Sequence, residues 1–229
     1  MKFGNIFKIS QKERNEFCTH IIDSSTPRGD FYFLIILSTL IVALGLLIDN
    51  VILVIGGMLV TPILSPILAI ALGLVAKDIK VILRSAKIFS ISFVLIFLTS
   101  LVTGVAISID ISHINLIHIM EPTLLSFFIA FIAGLAAGYT WAKPGLNERL
   151  PGIAITVTLI PPLTVIGLAT SHTEWSIMET SLKTFFLNLF AIIVASLIIF
   201  FLMEFYKAER KLKQEVKEEE KEIKKENKK

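Results

Sequence analysis

The sequence predicts an all-α, polytopic membrane protein whose six transmembrane segments form a 3+3 inverted-topology repeat, with prolines breaking the second and fifth segments. Three observations support this prediction. Of the 229 residues, 54% are hydrophobic and the mean hydropathy is +0.77, and these residues are concentrated in long uncharged runs. Basic residues occur in alternate connections between the runs. Proline pairs interrupt two of the runs at corresponding places.

The uncharged runs are long enough to cross a bilayer, since about 20 residues span about 30 Å of hydrocarbon. They cover residues 31–48, 51–76, 88–109, 122–142, 150–171 and 184–203. Only Asp49 and Asn50 separate the first two runs, which predicts a tight helical hairpin. The runs group into a first membrane repeat, 31–109, an external loop, 110–121, and a second membrane repeat, 122–203.

Charge sets the predicted orientation. Basic residues lie in the N-terminal segment 1–30, in the connections after the second and fourth runs, and in the charged tail 204–229. The other connections carry mainly acids, with Lys183 as their basic exception. Because cytoplasmic loops are enriched in lysine and arginine, we expect a multi-pass protein of the cell membrane with both termini cytoplasmic. The single Cys18 excludes an internal disulfide and suits a reducing compartment.

Several functional classes are disfavoured. A net charge of +3 gives no reason to expect nucleic-acid binding. The interiors of the six runs contain no Asp, Glu, Lys, Arg or His, so they lack the groups of a lipid-modifying enzyme or a proton relay. His113 and His118 lie in the external loop, but their spacing with Asp110 and Glu121 matches no structural zinc pattern. We therefore expect no enzyme, no metal site and no cofactor.

The second run contains the feature around which the chain is organised. Within residues 54–75, Gly56 and Gly57 precede Pro62 and Pro66. Proline removes an N–H donor and clashes with the carbonyl four residues earlier, so this spacing predicts a broken helix. We expect Ser65 to cap the resumed helix, with Pro66 at its first position.

A second interrupted run suggests an internal repeat. Shifting the chain by about 95 positions aligns Gly57 with Gly152, Thr61 with Thr156, and Pro66 with Pro161. Pro161 and Pro162 then predict a break in the fifth segment. Because each repeat has three spans, the two halves enter the membrane from opposite sides, which is an arrangement typical of secondary transporters.

In this arrangement, two helix N-termini meet near the membrane midplane. Each contributes roughly half a positive charge and free N–H donors. The sequence therefore predicts a carrier or channel for a small solute, with an anion as one candidate. The candidate substrate-binding residues are Gly56, Gly57, Thr61, Pro62, Ser65, Pro66, Thr156, Thr158, Pro161, Pro162 and Asn188.

A second interpretation stays open, in which the protein interacts, senses or binds lipid inside the membrane without transport. Prolines then only kink their helices, and Asn188 forms an interhelical hydrogen bond. The spacing of Gly134 and Gly138 favours helix packing, either within the fold or in a homo-oligomer. Membrane lipids are expected partners in both interpretations.

Two strings carry a family resemblance. DNVILVIGGMLVTPILSPILAIALGLVAKD and, in the second half, AAGYTWAKPGLNERLPGIAITVTLIPPLTVIGLA resemble the hydrophobic membrane family catalogued as Domain of Unknown Function 389. The likeness covers about residues 27–203. It implies a polytopic membrane core and supplies no substrate, reaction or site residue.

The residue patterns at the two ends of the chain predict polar helices. Residues 8–24 predict a helix at the cytoplasmic interface, with Phe17 and Ile21 one turn apart. Residues 204–229 predict a mixed-charge helix that continues the sixth span.

Overall fold

The computed structural model describes residues 7, 9–26, 28–107, 111, 114–115, 121–143 and 149–208, with backbone alone for 149–157. This part of the chain is helical and without strands. Its helices are α1 (Gln11–Ser24), α2 (Gly29–Leu47), α3 (Val51–Val60), α4 (Leu64–Val75), α5 (Ile79–Ala106), α6 (Leu124–Ala142), α7 (Arg149–Ser171) and α8 (Trp175–Leu202), followed by a 3₁₀ turn, Phe205–Ala208.

Helices α2, α5, α6 and α8 are each long and apolar enough to cross a membrane. Helices α3 and α4 form a fifth such element if the bent pair is counted as one span. In α7, the stretch with described side chains, Thr158–Ser171, is a shorter apolar helix. The expectation of an all-α membrane protein is confirmed. Helix α5 begins earlier than the apolar run because Asp78 caps it, accepting the Lys80 N–H at 3.0 Å.

Left-handed residues reverse the chain between neighbouring spans. Asp49, Lys77 and Thr173 have φ values of 52°, 54° and 58°. The next N–H in each case bonds a carbonyl five residues back, at 2.8 to 2.9 Å. This bond closes the last helical turn in a Schellman motif. The predicted tight hairpin at Asp49 and Asn50 is confirmed.

Small residues fix the relative directions of the helices. On α5 and α7, Ser100 faces Gly167 and Gly104 faces Ser171, so these two helices run parallel. A Cβ on Gly167 would lie 2.7 Å from the carbonyl oxygen of Phe97. Helices α6 and α8 are also parallel, since Gly134 and Gly138 contact successive turns of α8. The interpretation of these two glycines as helix-packing residues within the fold is confirmed.

Helix α1 docks on one end of the bundle. Arg14 is buried, and its Nη2 donates to the carbonyl of Met203 at 3.3 Å and lies 3.7 Å from the Glu204 carboxylate. The Phe17 ring lies 5.4 Å from that of Phe200. Since Arg14, Lys77, Arg84 and Lys207 all lie at this end of the helices, we call it the basic end.

The expectation that the tail continues the sixth span is wrong at its start. Helix α8 ends at Leu202, and Glu204 has a φ of 60°, which turns the chain into the short 3₁₀ helix. The predicted tail helix beyond residue 208 lies outside the described residues, as does most of the external loop.

Candidate functional site

The predicted break in the second segment is confirmed. Helix α3 ends at Val60, Thr61 is extended with φ −76° and ψ 131°, and α4 begins at Leu64. The two helix axes are bent by 56°. Pro62 lies in the break, and Pro66 lies in the first turn of α4. Backbone N–H groups in the first turn have no carbonyl partner within the helix, so proline costs no helical hydrogen bond there.

The expected cap at Ser65 is wrong. Ile63 occupies the N-cap position with helical φ −65° and ψ −17°, and it provides no side-chain cap. The helix therefore begins before Ser65, which falls within its first turn. The first-turn N–H groups of α4 lie in a buried setting, because every residue from 63 to 69 is buried. The positive end of the helix dipole is thus directed into the protein interior.

The predicted break in the fifth segment is wrong. Helix α7 continues through Pro161 and Pro162. Pro162 has no N–H to offer the carbonyl of Thr158, but the Asn188 side chain on α8 donates to that oxygen at 2.9 Å. Proline is tolerated in a membrane helix when a neighbouring helix satisfies the freed carbonyl in this way. Asn188 is 3% exposed, and its predicted interhelical hydrogen bond is confirmed.

Among the buried side-chain atoms of the described residues that have no hydrogen-bond partner, four lie at the break between α3 and α4 or within α7 and α8. These unpartnered atoms are Thr61 Oγ1, Thr164 Oγ1, Asn188 Oδ1 and Ser196 Oγ. Several other buried hydroxyls in the spans bond to their own helix; Thr39, for example, donates to the Ile35 carbonyl at 2.7 Å. Leaving a buried polar group unpaired costs about 1–3 kcal/mol. The four atoms therefore mark places where water or a polar ligand would gain hydrogen bonds.

The elements that carry these atoms are neighbours in the helical bundle. Helix α4 contacts α7 and α8, and α3 contacts α7. Residues 159–169 of α7 are buried without interruption, as is the start of α4. Thr61 joins the two halves of the broken span, and Asn188 lies near the middle of α8. Thr61 in the break and the proline segment of α7 are thus both buried.

The two glycines among the predicted site residues have different surroundings. Gly57 packs on α2: its carbonyl accepts from Ser38 Oγ at 2.9 Å, and a Cβ there would lie 2.7 Å from Val42 Cγ2. Gly56 is exposed, with nothing within 4 Å of such a Cβ. Both glycines lie in α3, before the break.

The other predicted residues fall into two groups. Thr61, Pro62, Ser65 and Pro66 lie at the break, and Thr158, Pro161, Pro162 and Asn188 lie together at the α7–α8 contact. The Thr156 side chain lies outside the described residues. Sequence reasoning missed Thr164 and Ser196, whose residue type gives no sign that their hydroxyls lack partners.

The family model described as Domain of unknown function (DUF389) matches residues 58–194, more than half of the chain. The chain belongs to the DUF389 family. The matched region extends from α3 into α8, so it includes the break, both prolines of α7 and Asn188.

One curated relative of this DUF389 protein is an uncharacterized protein of Methanocaldococcus jannaschii. The two are 28% identical over 189 residues, which cover 82% of this chain and 58% of the relative. The DUF389 chain therefore spans little more than half of the relative's length. No solved structure matches the chain.

Proposed function

We propose that this DUF389 protein is a multi-pass transport protein that moves a small polar solute past the break between α3 and α4. The observation that carries this proposal is the group of four unpartnered atoms at the break and within α7 and α8. Hydrocarbon offers no hydrogen bonds, so such atoms are stable there only if water or a polar solute reaches them. Thr61 is the key residue, because it combines an unpartnered hydroxyl with the break itself.

The proposed site differs from the one that the sequence predicts. A single helix N-terminus, that of α4, supplies N–H donors, whereas α7 and α8 supply oxygen acceptors from Thr164 and Asn188. A positive helix end favours an anion or the negative end of a polar solute. Side-chain oxygens favour hydrogen-bond donors. The combination fits a small solute that both donates and accepts hydrogen bonds.

The proposal includes six spans, an inverted repeat, and both termini on the cytoplasmic side of the cell membrane. The parallel pairing of α5 with α7 supports opposite orientations for the two halves. The left-handed turns at Lys77 and Thr173, which end α4 and α7 at equivalent points, support the repeat. The basic end would face the cytoplasm.

Labelling tests this orientation. Lys80→Cys and Glu179→Cys introduce thiols at exposed positions near opposite ends of the bundle, and the native Cys18 is buried. In intact cells, an impermeant maleimide should react with the cysteine at position 179 and not with the one at position 80. The reverse pattern would contradict the orientation.

A flux assay tests transport. Purified protein in liposomes is compared with empty liposomes over a panel of small anions and neutral polar solutes. We expect flux of at least one solute, lowered about tenfold by Thr61→Val if Thr61 contributes one hydrogen bond to a charged solute. Thr39→Val is the matched control, since Thr39 is equally apolar after mutation but bonds only to its own helix. Absence of flux for every solute would refute the transport proposal.

A membrane-embedded interaction or sensing role is the second candidate. The observation that favours it is the unbroken α7, whose prolines are buried among neighbouring helices. In this case the break between α3 and α4 and the prolines of α7 shape the packing only. A folded protein with no flux, and with increased stability in Thr61→Val, would favour this candidate.

A further inference from the structure

An apolar groove lies between the C-terminal ends of α4 and α8, away from the proposed solute site. Its volume is about 690 Å³, within the range of small-molecule pockets. The lining includes Leu74, Lys77, Leu197, Ile198, Phe201 and Tyr206. The groove opens on the outer surface of the bundle, where Phe201 is 65% exposed. In a membrane, this surface faces lipid.

The polar groups of the groove lie at the basic end. Lys77 directly follows α4, and Tyr206 lies beyond the end of α8. The Lys77 side chain is exposed and forms no ion pair with the described residues. A lysine at the end of an apolar helix extends its ammonium group to the level of the lipid headgroups. The groove thus combines an apolar lining with a cation at one end.

The surrounding charges leave this end positive. Glu204 is held by Lys207 at 2.6 Å and lies 3.7 Å from Arg14. Hydrogen bonding to Glu204 raises the pKa of Lys207, so that lysine stays charged. Asp78 is buried and accepts from the Lys80 N–H. Neither carboxylate is placed to neutralise Lys77.

We propose that this groove binds an anionic glycerophospholipid, with an acyl chain along α4 and α8 and the phosphate at Lys77. Basic pockets between membrane helices bind anionic headgroups in this way. A second copy of the chain would have to bring a carboxylate to Lys77 to avoid burying that charge unpaired, whereas an anionic lipid carries its own negative group. The apolar lining and the unpaired cation together match a lipid with a negative headgroup.

Lipid retention tests the proposal. Full-length protein is reconstituted in bilayers of equal phosphatidylglycerol and phosphatidylcholine, extracted gently, and analysed for bound lipid by native mass spectrometry. We expect wild-type protein to retain phosphatidylglycerol preferentially. Lys77→Gln should lower that retention about fivefold, the size of one lysine–headgroup contact. Lys80→Gln removes the same charge from an exposed lysine outside the groove lining and should leave retention unchanged.

A second variant tests the apolar part. Ile198→Trp narrows the groove without changing charge, and we expect it to lower phosphatidylglycerol retention as Lys77→Gln does. Equal effects of Lys77→Gln and Lys80→Gln, or equal retention of both lipids by wild type, would overturn the proposal. So would an oligomer that retains no lipid and dissociates on Ile198→Trp, since the groove would then be a contact between copies. If Ile198→Trp fails to fold, the comparison of phosphatidylglycerol retention between Lys77→Gln and Lys80→Gln tests the proposal.

Discussion

The break between α3 and α4 and the proline segment of α7 start from similar sequences and reach different structures. Pro62 accompanies a bend of 56°, whereas Pro161 and Pro162 lie inside a continuous helix. At the continuous segment, a neighbouring helix supplies a hydrogen bond, because Asn188 donates to the Thr158 carbonyl that Pro162 leaves free. A proline pair therefore does not by itself decide whether a membrane helix breaks. We infer that hydrogen bonds from adjacent helices contribute to this difference.

The packing around α7 should be its most sensitive feature. Gly167→Ala places a Cβ 2.7 Å from the Phe97 carbonyl oxygen, a backbone atom that cannot move aside easily. We expect a loss of about 1–3 kcal/mol in the free energy of unfolding, measured by denaturant titration in detergent micelles. Gly56→Ala on α3 is the control, because nothing lies within 4 Å of a Cβ at that position. Alanine there should be neutral or stabilising by up to about 1 kcal/mol. Equal destabilisation by both variants would contradict the close α5–α7 contact.

Removing the Asn188 side chain should make α7 resemble the broken span. Asn188→Leu leaves the Thr158 carbonyl unpaired, and we expect a cost of about 1–2 kcal/mol in unfolding free energy, the upper range for hydrogen bonds between membrane helices. The mean distance between spin labels on the two sides of Pro162 should shorten, or the distribution of distances should broaden. Ser92→Ala is the control, because the Ser92 hydroxyl donates to the Ile88 carbonyl of its own helix, α5. An unchanged distance in Asn188→Leu would show that α7 is straight without its neighbour.

The prolines can be tested directly on each side of the comparison. Pro62→Ala restores an N–H at the break, and we expect the angle between α3 and α4 to decrease, measured as a longer distance between spin labels at the far ends of the two helices. Pro161→Ala should leave the corresponding distance across α7 unchanged, because that helix is already continuous. If Pro62→Ala keeps the bend, tertiary packing and not proline maintains it.

Local features of the sequence predicted much of the fold. The apolar runs predicted the spans, Asp49 and Asn50 predicted a hairpin, and Pro62 predicted a break, since each depends on residues close in sequence. The hydrogen bond that satisfies the Thr158 carbonyl in α7 comes from Asn188, 30 residues away, so it could not be seen from the prolines.

The same limit explains the errors within the candidate site. Ser65 is a good capping residue by type, but the helical backbone of Ile63 starts α4 before it. Thr164 and Ser196 resemble Thr39 and Ser92 in the sequence, and only the packing shows which hydroxyls lack a partner. Residue type predicts which side chains can form hydrogen bonds, whereas tertiary contacts decide which of them do so.

The smallest expected effect concerns the sign of one stability change. Thr61→Val removes a hydroxyl that no described group satisfies, so in a dry interior it should stabilise the protein by up to about 1 kcal/mol, because the buried polar atom is lost without a broken bond. If water or solute fills the site, the same variant should be neutral or destabilising in unfolding measurements. Thr39→Val, which breaks a bond within α2, should be neutral or slightly destabilising in either case. The sign for Thr61 therefore distinguishes a hydrated break, as transport requires, from a break that is only a bend in a packed core.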